Sequence, residues 1–133
     1  MLHPSLRSFI INALRRAWGR SWAKRECLNR AKSECSDGSR HRVHFLCATC
    51  GSYHYHKAIQ VDHIIPVMGL AGFDTWEGVI ERMFCGPDSL QVLCKSCHKK
   101  KSAEEAGVRA KVKRERKPAK TGASRPTKRE LSE

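Results

Sequence analysis

Apolar residues recur at helical spacing through the amino-terminal part of the chain. Pro4 suits the first turn of a helix, where a missing N–H costs nothing, and Gly19 weakens the pattern only locally. We therefore predict one helix from Pro4 to about Ser33, with its tryptophans on the core and its basic faces outward. The apolar stripe of this predicted helix consists of Leu6, Phe9, Ile10, Leu14, Trp18 and Trp22.

The middle of the chain is richer in β-branched and aromatic residues. A polar connector, Glu34–His41, precedes Val43–Leu46, which predicts a short strand. The segment Tyr53–Val61 predicts a second strand, and Leu90–Leu93 predicts a third. Two roles stay open for the run Tyr53–Lys57: contact with bases or sugars through stacking and hydrogen bonds, or a solvated hairpin face, which is the more common case.

A second helical pattern lies between the last two predicted strands. Asp74 and Glu77 have the spacing of a capping box, and Cys85-Gly86-Pro87 is a stop signal. We predict a helix over residues 74–85 that uses its apolar stripe for the core, in preference to a groove for a partner. The stripe consists of Trp76, Val79, Ile80, Met83 and Phe84.

The composition changes near the carboxyl end. The pattern predicts a helix over Lys95–Ala106 that ends at Gly107. Residues 108–133 are rich in Lys and Arg and almost free of large apolar side chains, which predicts a disordered cationic tail. The chain thus divides into a basic helix with its connector (1–41), a small core (42–107) and this tail.

The balance of charges points to a polyanionic partner. The 133 residues contain 26 Lys and Arg against 13 Asp and Glu, a net charge of +13. Nucleic acid and an anionic membrane surface would both explain a charge that repels itself. We favour DNA, with the basic side of the first helix, including Arg15 and Arg16, along the phosphate backbone. A module that binds only proteins would not need this charge.

The sequence contains no signal for membrane insertion or export. No apolar run approaches the roughly 18 residues of a membrane span, and Phe9-Ile10-Ile11 is too short for a signal peptide. The acid-poor amino end loosely resembles a mitochondrial presequence, an interpretation that ranks below a DNA-facing helix. Seven cysteines without an export signal indicate a reducing compartment. We expect a cytoplasmic protein of a bacterial cell, without a membrane partner.

Two closely spaced cysteine pairs, Cys47-x-x-Cys50 and Cys94-x-x-Cys97, flank the central segment. Four thiolates form a closed tetrahedral shell for Zn²⁺, and such spacing is typical of structural zinc sites. A core this small needs a bound metal, because apolar burial alone would make it only marginally stable. A zinc ribbon that binds DNA or protein without catalysis is the simplest alternative.

An acid and two imidazoles accompany the cysteines. Asp62-His63 follows the second predicted strand, and His98 follows Cys97 at the start of a helix. Phosphodiester hydrolysis needs a base for the attacking water and a cation for the developing charge. We expect Asp62 and His98 to bind one divalent cation and His63 to act as the base. Mg²⁺ keeps several waters, so two or so protein ligands are enough to bind it. Mn²⁺ or Ni²⁺ would tolerate the histidine ligand better.

Several motifs together carry a resemblance over about residues 43–106. They are Cys47-x-x-Cys50, Val61-Asp62-His63-Ile64-Ile65-Pro66-Val67, Leu90-Gln91-Val92-Leu93-Cys94-x-x-Cys97-His98 and Lys101. These motifs resemble the HNH endonuclease family, whose core is the ββα-metal fold. The segments Gly72-Phe73, Trp76 and Ile80-Glu81-Arg82-Met83-Phe84-Cys85 are similar to those of small phage HNH proteins.

The resemblance implies a small α+β fold: a zinc-stapled ββα-metal core with a basic first helix and an inserted helix. It implies that Asp62 and His98 bind the catalytic cation, that His63 is the base, and that cleavage leaves 5′-phosphate and 3′-hydroxyl ends. Lys101 would steady a phosphate of double-stranded DNA. We also expect DNA contacts from Lys99 and Arg82, although a salt bridge of Arg82 to a neighbouring acid is as plausible.

A phage-encoded enzyme of this kind would act as a monomer or dimer, with phage packaging or other DNA-processing proteins as further partners. One position departs from the family pattern, because the family's central Asn falls on Ser89. A serine hydroxyl is a shorter and weaker ligand than an Asn amide. The alternative to an active nuclease is therefore a zinc-stabilised DNA-binding module with weak or no activity, and we favour the active enzyme.

Overall fold

The computed structural model describes residues 2–34, 38, 40 and 42–116. Within them lie four α-helices and two short sheets, which confirms the predicted small α+β class. The helices are α1 Pro4–Trp18, α2 Trp22–Ala31, α3 Trp76–Met83 and α4 Lys95–Arg116. The strands are β1 Lys32–Glu34, β2 Val43–Leu46, β3 Tyr53–His54, β4 Ile59–His63 and β5 Leu90–Cys94.

The amino-terminal region forms two helices, so the prediction of one helix to Ser33 was wrong. The chain leaves α1 after Trp18 in a turn, and the N–H of Ser21 bonds the carbonyl of Trp18 at 2.8 Å. Ser21 then caps α2, because its Oγ accepts from the N–H of Lys24 at 3.3 Å. Serine is a preferred residue at this position, and the cap starts a second helix in a new direction.

The break decides which side chains of the predicted stripe reach the core. Trp18 is partly buried and packs against two core clusters, whereas Trp22 remains 64% exposed. Ile11, which lay outside the predicted stripe, is the buried residue of α1. On α2 the buried residue is Cys27. The expectation that both tryptophans pack on the core therefore holds for Trp18 alone.

The central strands β4 and β5 form an antiparallel pair between α2 and α4, and α3 lies in the connection between them. β4 pairs with β5 from Ile59 opposite Cys94 to His63 opposite Leu90. Ile59 and Val61 pack in the cluster that includes α2 side chains, while Asp62 contacts side chains of α4. A turn of 3₁₀ helix over His56–Ala58 separates β3 from β4, so the single strand predicted over Tyr53–Val61 is two strands. The strand predicted at Leu90–Leu93 is confirmed and extends to Cys94.

A second sheet has the order β1-β2-β3. β2 confirms the strand predicted at Val43–Leu46, and it pairs with β1 through Lys32 opposite Phe45. β1 occupies the place where the predicted first helix ended and the connector began. Of that connector, residues 35–37, 39 and 41 lie outside the described residues.

The inserted helix α3 is shorter than the predicted span of 74–85. Thr75 caps it, since its Oγ1 accepts from the N–H of Gly78 at 3.0 Å. Asp74, the residue expected in the cap, instead bonds Arg82 and the N–H of Thr75. The core assignment of the stripe holds for Val79 and Met83, which are fully buried.

α4 runs through Gly107 to Arg116, well past the predicted end at Ala106. Contacts to a neighbouring loop support the extension: Arg109 donates to the carbonyl of Met68, and Arg116 to that of Ala71, both at 3.3 Å. The prediction of disorder was therefore wrong for residues 108–116. Residues 117–133 of the predicted tail lie outside the described part of the chain.

Candidate metal centre and catalytic cleft

The four predicted zinc ligands come together in space. Their Sγ atoms all lie within 4.8 Å of one another, and the Sγ atoms of Cys50 and Cys94 are 4.0 Å apart. Sulfurs around one zinc ion are separated by about 3.8 Å when each Zn–S bond is about 2.3 Å. Three of the four are buried, with Cys50 at the surface. The cluster therefore fits a structural metal such as Zn²⁺.

Backbone contacts hold this thiol cluster in place. The N–H of Ala48 bonds the carbonyl of Val92 at 2.8 Å, which fixes the first cysteine pair to β5. The N–H of Cys94 donates to the Sγ of Cys47 at 3.3 Å. Hydrogen bonding from the backbone of Ser52 lowers the pKa of the Cys50 thiol to about 7. The neighbouring Cys94 thiol raises the pKa of Cys97 to about 12, so all four thiols would ionise together only around a bound cation, which takes the thiolate as its ligand.

Of the residues predicted for catalysis and cation binding, Asp62, His63 and His98 line one cleft of about 260 Å³, whereas Ser89 is not part of its lining. Asp62 and His63 reach it from the end of β4, and His98 reaches it from the first turns of α4. The remaining lining is contributed by α1, α4 and the loop after β4: Arg15, Pro66, Val67, Met68, Lys101, Ser102, Glu105 and Arg109. The fold thus gathers the acid and both imidazoles around a single space.

The two oxygens of Asp62 face different partners. Oδ2 lies 2.9 Å from Nζ of Lys101 and accepts from Nε2 of Gln91 at 3.1 Å. Oδ1 lies 3.6 Å from Nε2 of His98. Two ligands that each stand about 2.1 Å from one ion are at most about 4.2 Å apart, so this pair of atoms fits a shared cation. Lys101 and Gln91 restrict the rotation of the carboxylate and leave Oδ1 directed at His98.

His63 is held as a neutral ring. Its Nε2 lies 2.9 Å from the carbonyl oxygen of Met83, and its ring stacks obliquely on Trp18 at 4.4 Å. A carbonyl oxygen only accepts, so Nε2 carries the proton and Nδ1 has the lone pair. Burial lowers the pKa of His63 below its usual 6.5. The ring is therefore unprotonated at Nδ1 at neutral pH, as a general base must be.

The basic residues predicted to contact DNA differ in burial and in the groups they contact. Lys101 is half-buried and donates to the carbonyl of His63 at 3.0 Å, besides its contacts to Asp62 and Glu105. Arg15 lines the cleft from α1, while Arg16 and Lys99 are exposed.

Arg82 bonds both oxygens of Asp74 and donates to the carbonyl of Val67 at 2.8 Å. The salt bridge, one of the two roles left open for Arg82, is the one present in the structure. It braces α3 against the loop that follows β4.

Ser89 contacts, through its backbone, the residue that follows His63. Its carbonyl accepts from the N–H of Ile64 at 3.1 Å, so it fixes the residue that follows His63. Its own N–H bonds the carbonyl of Gly86 in the 3₁₀ turn before β5. A backbone contact of this kind is available to any residue with a carbonyl, including the serine present here.

Sequence reasoning missed several residues that shape the cleft. Glu105 lies 2.5 Å from Nζ of Lys101 and 4.0 Å from Arg109, and Gln91 orients Asp62. The contacts of Glu105 could have been predicted from the sequence, because Lys101, Glu105 and Arg109 are spaced four residues apart on a helix. The carbonyl of Met83 carried no such signal, because every residue has one.

Comparison with known proteins gives three relatives whose names include the word endonuclease. Over 69 residues, 51% of this chain, it is 39% identical to the probable HNH endonuclease of Lactococcus phage SK1, and the match covers 65% of that protein. Over 56 residues, 42% of the chain, it is 41% and 39% identical to the DNA annealing helicase and endonuclease ZRANB3 of Homo sapiens and Bos taurus. Those matches cover 4% of each mammalian protein.

The chain thus spans somewhat less than two thirds of the phage relative and a small part of the mammalian ones. No family model matches it, and no solved structure gives a significant match. None of the helices among the described residues combines the length and apolar character that a membrane span requires. The predicted resemblance is confirmed: over about half its length, this chain is similar to an HNH endonuclease.

Proposed function

We propose that this chain is a metal-dependent DNA endonuclease that hydrolyses phosphodiester bonds. The observation that carries the proposal is the convergence of Asp62, His63 and His98 on one cleft. The names of the relatives support the reaction class, since each is called an endonuclease. The excess of basic residues supports a polyanionic substrate.

Oδ1 of Asp62 and Nε2 of His98 would hold one divalent cation. When bound, Mg²⁺, Mn²⁺ or Ni²⁺ would stabilise the negative charge that develops on the leaving 3′ oxygen. Few protein ligands suffice for such an ion, because it keeps several waters. The thiol cluster would hold a second ion, Zn²⁺, for structure only, since four thiolates leave no open position.

The residues of the chain would share the remaining work. His63 takes a proton from the attacking water at Nδ1, while the carbonyl of Met83 keeps the ring in the required tautomer. Lys101 holds the carboxylate of Asp62 and the backbone of His63 in place. Arg15, exposed at the edge of the cleft, attracts phosphate. Attack by water opposite the 3′ oxygen would leave 5′-phosphate and 3′-hydroxyl ends.

A supercoiled-plasmid assay tests the proposal. The wild-type chain should nick the plasmid in Mg²⁺, Mn²⁺ or Ni²⁺, and ligation of the nicked product should show the 5′-phosphate. Asp62→Asn and His98→Ala should each remove the activity and keep the zinc content. Undiminished cutting by either variant would refute the assignment of the cation site.

A zinc-stabilised DNA-binding module without activity is the second candidate, and Ser89 is the observation that favours it. The backbone contact from Ser89 to Ile64 supports the active enzyme, because it fixes the loop after His63 without an Asn side chain. If the wild-type chain binds duplex DNA and cuts it with none of the three cations, the binding module becomes the better description.

A further inference from the structure

A groove separate from the thiol cluster lies between α2, β2 and the first residues of β4. It consists of two joined hollows of about 480 and 420 Å³ that share Leu28, Phe45 and His56. Ile59 and Val61 add apolar surface at one end, and Val43 at the other. The groove therefore offers apolar side chains and the edges or faces of two rings.

The polar residues around this groove have one sign of charge. Lys24, Arg25 and Lys32 line it, with the amides of Asn29 and Gln60 beside them. Among the described residues, no acidic side chain belongs to its lining. An occupant should therefore combine flat apolar surface with negative charge.

The groove adjoins the catalytic cleft along a single strand. Ile59, Gln60 and Val61 line the groove, and the next two residues of β4, Asp62 and His63, line the cleft. Gln60 and Asp62 are two residues apart, which is about 7 Å along a strand. Because side chains alternate along a strand, Gln60 shares the face of Asp62 while Ile59 and Val61 pack toward α2, so a polymer that leaves the cleft would meet the groove first at Gln60.

We propose that this groove binds unpaired nucleotides of the strand that is cut, so that the preferred substrate is DNA with a single-stranded segment beside the scissile phosphate. The proposal rests on the proposed function. Bases would stack against Phe45 and His56, and the adjoining phosphates would contact Lys24, Arg25 and Lys32. Apolar or aromatic surface flanked by cations is how proteins bind single strands without sequence preference.

The geometry favours an unpaired strand over a duplex. Bases within a duplex are stacked on one another, so their faces are not available to a protein side chain. The groove has an apolar interior and a basic rim. The backbone of a duplex would contact the rim alone and would make no contact with the apolar interior. An acidic peptide is the competing occupant, because it also has apolar and negatively charged groups.

Binding measurements test the proposal without depending on cleavage. Fluorescence anisotropy would compare a blunt duplex with a tailed duplex of the same paired length, in both polarities of the tail, with Ca²⁺ as the cation. The wild-type chain should bind one tailed probe about tenfold more tightly than the blunt probe, as expected for stacking of one base. Equal affinity for all three probes would overturn the proposal.

Variants locate the binding surface. Lys32→Ala and His56→Ala change exposed residues of the groove and should each reduce the preference for the tailed probe at least threefold, with less than a twofold change for blunt duplex. Phe45→Leu conserves apolar volume and should act in the same direction. Lys111→Ala, exposed on α4 and outside the groove lining, is the matched control. Equal losses for both probes would indicate a general phosphate contact and refute the stacking site.

The outcomes separate this proposal from the proposed function. A chain that prefers tailed probes through the groove but never cuts DNA overturns the nuclease alone. A chain that cuts blunt and tailed DNA equally, with groove variants unaffected, overturns the groove alone. Equal affinity for tailed and blunt probes, together with binding of an acidic peptide that Lys32→Ala weakens, would make the peptide the occupant and overturn the nucleotide.

Discussion

The thiol cluster and the proposed catalytic cleft share the β4–β5 sheet and α4, yet their donor atoms suit different ions. The cluster gathers four sulfurs from the turn after β2, the end of β5 and the first turn of α4, with three of its residues buried. The cleft offers one carboxylate oxygen and one imidazole, open to a space of about 260 Å³. A closed shell of soft ligands suits a permanent Zn²⁺, whereas an open pair of harder ligands suits an exchangeable cation that keeps water.

The difference shows how one short segment can serve both stability and chemistry. β5 ends in Cys94, and the first turn of α4 contains Cys97 and His98. Fixing the sulfurs therefore also fixes the imidazole that faces Asp62. We expect changes to the cluster to act on folding, and changes to the cleft to act on reaction or cation binding with folding preserved.

The largest effect should come from breaking the cluster. Cys97→Ser removes one thiolate, and the binding energy of structural zinc in small domains is about 10–16 kcal/mol. We expect loss of the bound zinc and of the cooperative thermal transition, measured by metal analysis and circular dichroism. Cys85→Ser, a cysteine outside the cluster, should keep one zinc per chain. Retention of the transition by the Cys97 variant would show that the cluster is dispensable for folding.

The next largest effect should come from His63, the proposed base. His63→Gln retains an N–H that can donate to the carbonyl of Met83, but an amide cannot take a proton from water. We expect plasmid nicking to fall about 10²- to 10⁴-fold, with zinc content and melting temperature nearly unchanged. His63→Ala should abolish nicking and also lower the melting temperature, because it removes the ring packed on Trp18. Undiminished nicking by both variants would exclude His63 as the base.

A smaller effect should come from the support of the cation ligand. Gln91→Ala removes the amide that bonds Oδ2 of Asp62 and leaves the contact to Lys101. Outer partners of metal ligands are typically worth about 10- to 100-fold in metal affinity or activity. The Mn²⁺ concentration that gives half-maximal nicking should rise accordingly, while the zinc content stays the same. An unchanged Mn²⁺ requirement would mean that Lys101 alone orients the carboxylate.

The smallest effect should come from Ser89→Asn. The backbone contact to Ile64 is kept, so we expect nicking to rise by less than roughly tenfold, or about 1.4 kcal/mol of barrier. The nicking rates of the wild-type chain and the variant would be compared in Mg²⁺ and in Mn²⁺. A much larger gain would show that the serine leaves the natural cleft nearly inactive and would favour the binding-module interpretation.

Local sequence patterns predicted the elements that depend on local chemistry. Cysteine spacing identified the four sulfurs that meet, and short apolar, β-branched segments identified β2 and β5. Helical periodicity identified the buried residues Val79 and Met83. The break between α1 and α2 was also encoded locally, in the capping serine at position 21, although the apolar stripe obscured it. Periodicity averages over several turns, so a single capping residue is easily outweighed.

By itself, the sequence determined which groups are available: four thiols, an acid beside an imidazole, a second imidazole after the last thiol, and an excess of cations. The tertiary structure decided how each is used. The carbonyl of Met83, far along the chain, selects the protonated nitrogen of His63, and loop carbonyls receive Arg109 beyond Gly107. Backbone carbonyls are the same at every position, so only the folded chain shows which of them meets which side chain.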